Sequence, residues 1–202
     1  MNRCGGRARL NVRYSPDAYV YAITDAQLTE FHYPALCQRL KQGVGFLQYR
    51  DKSKDSVNRL KQAKLLKRVC QRTRTRLIIN DDWVLARRIG ADGIHLGKQD
   101  ARVNWVRRQS TKRFLIGCSC YNDLHQAKRY VQQGVDYVAF GALYVSSTKP
   151  EAPQASLQCL ALGKTGKTLC VGIGGIDFNR LPTVIRSGAH YGAMVSAFWQ
   201  QP

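Results

Sequence analysis

Eight short apolar segments run along this chain of 202 residues, and a segment of helical periodicity follows most of them. No tight hairpin joins one apolar segment to the next. Strands that alternate with helices in this way predict a parallel sheet, because two parallel strands need a crossover connection between them. The predicted strands span residues 19–24, 46–50, 76–80, 93–97, 114–119, 137–141, 169–174 and 191–196.

The helical segments support the same interpretation. Several of them end at a glycine, the residue that most often takes the left-handed conformation after a helix. The predicted helices span residues 33–41, 55–71, 83–89, 103–108, 124–133 and 181–186. Polar residues follow nearly every strand, not only the strands of one crevice, so the pattern favours a closed (β/α)8 TIM barrel over an open sheet. The length predicts one α/β domain.

Two parts of the pattern depart from a regular barrel. Residues 145–156 contain Pro150 and Pro153 and predict a long loop before a short helix at 157–162. After the eighth strand only residues 197–202 remain, so we expect the last helix to be truncated or absent. The eighth strand is then expected to be incompletely covered. We hypothesise that it is shielded by residues 1–18, an N-terminal extension to the barrel at 19–202, or by the second subunit of a homodimer.

The formal net charge of +19 makes nucleic-acid binding a hypothesis that has to be weighed. The basic residues are spread over several predicted helices, and no helix-turn-helix, zinc-finger or RNA-recognition pattern accompanies them. We therefore expect no specific nucleic-acid partner. A non-catalytic basic barrel that binds nucleic acid stays an alternative.

Cysteine usage and hydropathy indicate the compartment. The seven cysteines lack a Cys-x-x-Cys pair, which argues against both a disulfide framework and a zinc site, and predicts buried thiols in a reducing compartment. No apolar segment approaches the roughly 20 residues that span a bilayer. The N-terminus lacks the apolar segment of a secretion signal. We expect a cytoplasmic protein with no membrane partner.

The segment FLQYRDK predicts an anion site. Side chains two apart on a strand share a face, so Gln48, Arg50 and Lys52 point one way while Leu47 and Tyr49 point the other. Two inward cations cost several kcal/mol in desolvation unless an anion meets them. The anion is expected at the carboxyl ends of the strands, where barrels of this kind hold their reactive groups.

Two acidic residues near the same end predict a metal. Asp81 and Asp100 follow neighbouring strands, and a pair of carboxylates suits Mg²⁺ that takes further ligands from substrate phosphates. Arg50, Lys52 and Lys149 then complete a clamp on a diphosphate.

A second anion seat is predicted across the barrel mouth. Gly174-Gly175 and Val195-Ser196 end the last two strands, in a region where barrels often hold a phosphate through backbone N–H groups. Ser146 and Thr148 supply hydroxyl groups. Two anion seats imply two phosphorylated substrates.

Structural roles remain open for several of these residues. Gly174-Gly175 is also a common turn. Asp82, and less readily Asp81, is a candidate N-cap of the following helix. His95 lies in the apolar run GIHLG and is better explained as a hydrogen-bonded core residue than as a catalyst.

The chain resembles the thiamine phosphate synthase family from about Tyr19 to Ala197. The resemblance depends on seven segments: LQYRDK, LIINDDW, GADGIHLGKQD, GCSCY, FGALYVSSTKP, VGIGGI and MVSAF. It implies that a pyrimidine diphosphate, 4-amino-2-methyl-5-(diphosphooxymethyl)pyrimidine, is bound by Gln48, Tyr49, Arg50, Asp51, Lys52, Asn80, Ser119 and Lys149. It implies thiazole phosphate binding by Ser146, Ser147, Thr148, Gly175, Val195 and Ser196. It implies Mg²⁺ at Asp81 and Asp100, and catalytic roles for Arg50, Lys52, Lys149 and Ser119.

The implied reaction is an alkyl transfer. Pyrophosphate leaves the pyrimidine methylene, and the thiazole nitrogen attacks the cation that remains. Asp51 and Ser146 stand where the family often has Glu and Thr, which preserves the charge and the hydroxyl group. The alternative of the same fold is a thiazole tautomerase. It resembles the chain less, because a histidine usually follows the strand-five serine there, where this sequence has Tyr121.

Overall fold

A computed structural model describes residues 16–24, 33–97, 103–145 and 154–200, in which eight strands alternate with helices. The strands are β1 (Val20–Ile23), β2 (Phe46–Tyr49), β3 (Arg76–Asn80), β4 (Gly93–Leu96), β5 (Leu115–Tyr121), β6 (Tyr137–Phe140), β7 (Leu169–Ile173) and β8 (Tyr191–Met194). The α-helices are α1 (Tyr33–Leu40), α2 (Ser56–Thr73), α3 (Trp83–Ile89), α4 (Val103–Gln109), α5 (Leu124–Gln132), α6 (Leu181–Arg186) and α7 (Ser196–Trp199). Two 3-10 helices span Pro16–Tyr19 and Leu157–Thr165.

The strands form one closed parallel barrel. Each strand pairs with the next in sequence, and β8 pairs with β1 through Val20 with Gly192 and Ala22 with Met194. The predicted (β/α)8 TIM barrel is therefore confirmed, and each predicted strand lies within a few residues of an observed one. The N-terminal extension predicted at residues 1–18 lies almost entirely outside the described residues.

Alternation along the strands separates two apolar cores. The smaller core fills the barrel interior and contains Tyr21, Ile23, Phe46, Ile78, Tyr137, Ala139, Val171 and Ala193. The larger core packs the outer strand faces against the helices, for example Leu47 and Leu77 with Leu66 of α2. Because neighbouring residues of a strand face opposite sides, the inward set of β2 is Phe46 and Gln48, as its sequence predicts.

The helix ends follow local sequence. Asp55, Asp82 and Asp123 cap α2, α3 and α5, each accepting a hydrogen bond from the N–H group three residues later. The predicted N-cap role of Asp82 is confirmed, and Gly90 ends α3 in the left-handed conformation. No helix within the described ranges is both long and apolar enough to cross a membrane.

Two aspartates brace the amino ends of the strands in the same way. Asp92 accepts from the N–H group of Leu77 at 2.8 Å and from Lys67 at 2.9 Å. Asp136, two units further round the barrel, accepts from the N–H of Ile116 at 2.8 Å and from Arg107 at 2.6 Å. Each carboxylate thus joins one strand to the strand before it and to a covering helix.

The last helix, α7, is a single turn, but it covers the seam between β8 and β1. Phe198 is 1% exposed, its carbonyl oxygen accepts from Arg39 Nη2 at 2.6 Å, and the Arg39 guanidinium lies 5.0 Å from its ring. Trp199 Nε1 donates to the carbonyl of Ile23 at 2.7 Å. The truncated last helix is confirmed, whereas the expectation that β8 is left uncovered is wrong, because two aromatic side chains cover the seam.

Candidate active site

The candidate residues that the structure describes gather at one rim. All eight strands are parallel, so their carboxyl ends meet at the same end of the barrel. Arg50 follows β2, Asp81 follows β3, and Ser119 lies near the end of β5. Gly175 and Val195 follow β7 and β8. The predictions for Asp100, Ser146, Ser147, Thr148 and Lys149 fall outside the described residues and stay predictions.

The prediction that one strand carries Gln48, Arg50 and Lys52 is correct only for Gln48. Gln48 is buried inside the barrel, whereas β2 ends at Tyr49, and the half-buried Arg50 and exposed Lys52 follow it. The strand ends because the N–H group of Arg50 donates to the hydroxyl oxygen of Thr24 at 2.9 Å. Arg50 and Lys52 therefore lie at the barrel mouth, where they reach solvent.

Thr24 is a rim residue that sequence reasoning missed. It is buried, directly follows β1, and its N–H group donates to the carbonyl of Gln48 at 2.9 Å. Its hydroxyl group accepts from the N–H of Arg50 and lies 3.3 Å from the Arg50 carbonyl oxygen. Thr24 thus holds the backbone of the arginine in place. The sequence feature that could have identified Thr24 as a rim residue is its position at the end of an apolar strand.

Tyr49 and Asp51 contact the outer layer of the fold. The ring of Tyr49 packs among the residues between barrel and helices, and its hydroxyl donates to Asp51 Oδ2 at 3.0 Å. Asp51 also accepts from the N–H of Ser53 at 2.7 Å. Burial by itself raises the pKa of Asp51. The hydrogen bonds from Ser53 and Tyr49 help to lower it by more than burial raises it, so the net pKa lies below the usual value. Both side chains brace the loop that carries Arg50 and Lys52.

A buried chain of hydrogen bonds crosses the barrel beneath the rim. Gln48 Nε2 donates to the Tyr21 hydroxyl at 2.9 Å, which lies 2.7 Å from the Tyr137 hydroxyl. The Tyr137 hydroxyl lies 3.1 Å from His95 Nδ1, and His95 Nε2 lies 2.8 Å from Ser119 Oγ. The chain, which we call the polar floor, links the two predicted pyrimidine contacts Gln48 and Ser119.

The protonation state of His95 sets the donor-to-acceptor direction of the hydrogen bonds in the polar floor. Burial lowers the pKa of His95 to about 4, so the imidazole is neutral near pH 7. A neutral ring accepts at one nitrogen and donates at the other. One arrangement satisfies every group: each hydroxyl accepts from the previous member and donates to the next, and His95 Nε2–H donates to Ser119. The Ser119 hydroxyl hydrogen then remains available for a ligand.

The expectation that His95 is a hydrogen-bonded core residue is confirmed. Tyr21 and Tyr137, which connect it to Gln48, were missed. Their inward direction follows from the alternation of β1 and β6, but only the closed barrel brings the two hydroxyl groups together.

Asp81 has a backbone conformation that is uncommon for residues other than glycine. Its φ is 60°, and its N–H group donates to the carbonyl of His95 at 2.9 Å. One carboxylate oxygen accepts from Asn80 Nδ2 at 2.6 Å, and the other from the N–H of Gly97 at 3.2 Å. Left-handed non-glycine residues concentrate at functional sites. The exposed carboxylate lies between the ends of β3 and β4.

The chemistry of this rim suits a hard cation better than zinc. Carboxylate and amide oxygens at Asp81 and Asn80 are the donors that Mg²⁺ prefers. Among the described residues, no group of three or more His, Cys, Asp or Glu side chains is arranged to hold a metal. Cys118 and Cys120 are buried on the outer face of β5, where burial raises the pKa of Cys118 to about 12. The prediction of buried apolar thiols is confirmed for these two cysteines.

The Gly174-Gly175 turn is crowded by protein backbone. Their φ angles are 98° and 60°, and a Cβ atom on Gly175 would lie 2.5 Å from the carbonyl oxygen of Val145. Arg180 donates to the Gly175 carbonyl at 2.6 Å and stacks 4.8 Å above the ring of Tyr144. Glycine is therefore required here by the fold alone, and an oxyanion close to this backbone stays a prediction.

Sequence comparisons identify the relatives of the chain. A family model described as thiamine monophosphate synthase matches residues 20–198. The thiamine-phosphate synthase of Halorhodospira halophila is 41% identical over 194 residues, which cover 94% of this chain and 90% of that protein. The thiamine-phosphate synthase of Saccharophagus degradans is 43% identical over 176 residues, covering 84% and 80% of the two chains.

Solved structures share the fold. A thiamine phosphate pyrophosphorylase from Pyrococcus furiosus superposes with a TM-score of 0.77 at 24% identity, over 90% of this chain and 88% of that chain. A 3-hexulose-6-phosphate synthase superposes with a TM-score of 0.63 at 14% identity, over 90% and 92% of the two chains. At these identities the structural likeness shows the barrel alone.

Proposed function

The chain belongs to the thiamine monophosphate synthase family, whose members are transferases of thiamine biosynthesis, and from that premise we propose its substrates and its mechanism. It condenses 4-amino-2-methyl-5-(diphosphooxymethyl)pyrimidine with thiazole phosphate, and the products are thiamine phosphate and pyrophosphate. What supports these substrates is that groups suited to a diphosphate and to a heterocycle occur together at one rim.

The rim offers a cation, an acid and a hydroxyl group within a few strands of one another. Arg50 is held by Thr24, Asp81 is held by Asn80 and Gly97, and Ser119 is held by His95. Such positioning matters because a donor that is already oriented loses little free energy of reorganisation when charge develops. The proposed function depends above all on the presence of these three oriented groups at one rim.

In the proposed complex, the pyrimidine ring lies above the polar floor. Gln48, Asn80 and Ser119 offer amide and hydroxyl groups to the ring nitrogens and the amino group. Arg50, Lys52 and Lys149 bind the diphosphate, Arg50 through two parallel N–H groups and the lysines through compact charge. Tyr49 and Asp51 turn their side chains toward the outer layer, so they support this loop and contact the substrate through backbone groups.

The thiazole phosphate occupies the opposite side of the mouth. Its proposed contacts are Ser146, Ser147, Thr148, Gly175, Val195 and Ser196. The hydroxyl groups and the backbone N–H groups in this set are donors of the kind that phosphate oxygens accept. In the proposed complex, the thiazole nitrogen faces the pyrimidine methylene.

Asp81 and Asp100 are the proposed Mg²⁺ ligands. Bound Mg²⁺ supplies positive charge that neutralises the diphosphate oxygens. The described part of this site, an exposed Asp81 carboxylate with both oxygens oriented by N–H donors, fits a hard cation.

The proposed reaction breaks one bond and forms another. The C–O bond between methylene and diphosphate breaks, its electron pair leaves with pyrophosphate, and the pyrimidine stabilises the resulting cation by resonance. The lone pair of the thiazole nitrogen then forms the C–N bond. Arg50, Lys52 and Lys149 stabilise the charge on the leaving group, and no general base is needed. The neutral His95 accordingly orients Ser119.

The test supplies both phosphorylated substrates and Mg²⁺ to the purified protein and follows thiamine phosphate and pyrophosphate by chromatography. We expect both products in equal amounts and none after chelation of Mg²⁺. Arg50→Ala should lower kcat/KM by about a hundredfold or more, since it removes a donor to the leaving group. Lys54→Ala, which removes an exposed cation of the same loop, is the matched control.

Two results would contradict the proposal. Folded protein that forms neither product would exclude the synthase reaction, and isomerisation of the thiazole phosphate alone would favour the tautomerase alternative. A cytoplasmic location and a homodimer remain predictions from the sequence.

A further inference from the structure

The amino end of the barrel, opposite the candidate active site, carries a cluster of exposed cations. In a parallel barrel the helices end at this side and the strands begin there. We call the cluster between the beginnings of β3 and β5 the basic face; it consists of Arg74, Arg76, Arg88, Arg108, Lys112 and Arg113, and all six are exposed. Lys164 and Lys167, before β7, extend positive charge along the same end.

The charge of the basic face is not neutralised within the described part of the chain. Among the described side chains, the carboxylates at this end are Asp92 and Asp136. Both are already engaged, by Lys67 and Arg107 respectively. No described carboxylate forms an ion pair with the six cations.

This charge does not serve the active site. The proposed substrates bind at the carboxyl end, where Arg50 and Lys52 provide cations close to them. Asp51, Asp81 and Asp177 also lie at that end, so cations and acids are mixed there. An anion bound to the basic face would lie at the amino end of the barrel. The apolar core that fills the barrel interior separates this end from the candidate active site. A separate polyanionic partner is the simpler explanation.

We propose that the basic face binds the phosphate backbone of a nucleic-acid strand without reading its bases. Four of its six members are arginines, which bind phosphate oxygens through paired N–H groups. A second copy of the chain is a less favourable partner than a polyanion, because it also carries a net charge of +19 and repels the first copy at long range. The proposal is independent of the proposed enzymatic function.

The distribution of apolar side chains favours nucleic acid over a membrane. Stable membrane binding by a surface needs apolar insertion or a lipid chain besides basic charge. The large apolar side chains that are exposed in the described residues lie in first helical turns or at the carboxyl rim, among them Val57, Val84 and Tyr121. The basic face also lacks exposed aromatic rings among the described residues, so base stacking does not contribute and binding should not depend on sequence.

The test measures binding of the full chain to a fluorescein-labelled single-stranded RNA of about 20 nucleotides by anisotropy, between about 50 and 300 mM KCl. We expect the logarithm of the association constant to fall linearly with the logarithm of salt concentration. Each neutralised phosphate of a single strand contributes about 0.7 to that slope. Replacing Arg76, Arg88 and Arg113 with Gln should therefore reduce the slope by about 2.

The matched control replaces Lys54, Lys61 and Lys128 with Gln, which removes the same charge from exposed positions outside the basic face. It should leave the slope almost unchanged, and the basic-face variant should retain its enzymatic turnover. If that variant does not fold by circular dichroism, Arg108→Gln with Lys112→Gln repeats the test.

Three outcomes would overturn the proposal. They are absence of RNA binding at about 50 mM salt, equal loss of slope in the control and the basic-face variant, and binding to phosphatidylglycerol vesicles without binding to RNA. The last outcome would assign the face to an anionic membrane surface.

Discussion

Two adjacent aspartates at the end of β3 show how much the environment of a residue determines its role. Asp82 accepts from the N–H of Leu85 at 2.9 Å and from Arg59 at 2.7 Å, so its carboxylate is occupied by the start of α3. Asp81, with φ of 60°, turns its carboxylate to the exposed rim. The sequence offers both as candidate helix caps and only Asp81 as a metal ligand, and the backbone direction separates the two roles.

Asp81→Asn is predicted to impair Mg²⁺ use without loss of fold. Asn tolerates the left-handed conformation as well as Asp, so the backbone is retained while the charge is lost. The Mg²⁺ concentration for half-maximal turnover should rise at least about tenfold. The control is Asp82→Asn, which keeps an N-cap and should leave the Mg²⁺ dependence unchanged. An equal Mg²⁺ response in the two variants would show that Asp81 is not a ligand.

Tyr21→Phe is predicted to disrupt the polar floor. The change leaves Gln48 Nε2 without its acceptor and the Tyr137 hydroxyl oxygen without its donor, although Tyr137 keeps its contact with His95. Loss of these buried hydrogen bonds costs about 1 to 3 kcal/mol in the free energy of unfolding. The KM for the pyrimidine diphosphate should rise, since Gln48 loses its orientation. Tyr191→Phe removes the hydroxyl of a partly buried tyrosine that packs against the interior core and does not belong to the floor, so it serves as the control. Urea denaturation and steady-state kinetics measure the two effects.

His95 is predicted to make stability depend on pH. Because the pKa of His95 is about 4 in the folded state and about 6.5 when unfolded, the unfolded chain binds the proton first as pH falls. The stabilising contribution is complete above pH 6.5 and is lost between about 6.5 and 4, by up to about 3 kcal/mol. His95→Gln should flatten this part of the profile. His190, whose pKa burial also lowers, is present in both proteins and cancels in the comparison. Parallel profiles would contradict the prediction.

At the scale of elements, local pattern predicted where strands and helices lie but not how they are covered. The helices at Trp83–Ile89 and Leu181–Arg186 have the bounds expected from their periodicity and caps. The end of β2 was placed one residue too late, because a side chain from another strand, Thr24, takes the N–H group of Arg50. The expectation of an uncovered β8 was also wrong, since β8 is largely buried and two aromatic residues of α7, Phe198 and Trp199, contact the elements beside it.

Phe198→Ala is predicted to destabilise the barrel seam. The side chain is buried against Arg39 and covers β8 and β1, so its removal should cost about 3 to 5 kcal/mol in the free energy of unfolding. Val57→Ala, at a position that is 78% exposed, should change stability by less than about 0.5 kcal/mol. Equilibrium denaturation provides both values. A cost near that of the control would mean that another part of the chain covers the seam.

The whole molecule has opposite charge patterns at its two ends. Described carboxylates concentrate at the carboxyl end, several as helix N-caps, while exposed cations concentrate at the amino end near helix C-termini. Both placements complement the helix dipoles. The net charge of +19 nevertheless leaves strong repulsion within the folded state.

Moderate salt is therefore predicted to stabilise the protein. Screening of the repulsion in about 0.3 M NaCl should raise stability by about 1 kcal/mol, equivalent to about 2 to 4 °C in Tm for a chain of this size. The variant with Gln at positions 76, 88 and 113 should gain less, because part of the repulsion is already removed. Thermal scans in low and moderate salt test this. A Tm that falls with salt would indicate that favourable ion pairs dominate.

The amino-acid sequence by itself determined the class of the fold and the common rim of Arg50, Asp81 and Ser119 among the described residues. Strand and helix periods are local properties, and polar residues that follow apolar strands must meet at one end once the strands are parallel. Only the tertiary structure decided which groups touch: Thr24 with Arg50, the tyrosines with Gln48 and His95, and α7 with the seam. These contacts join residues far apart in the chain, and no local pattern encodes the register and closure that bring them together.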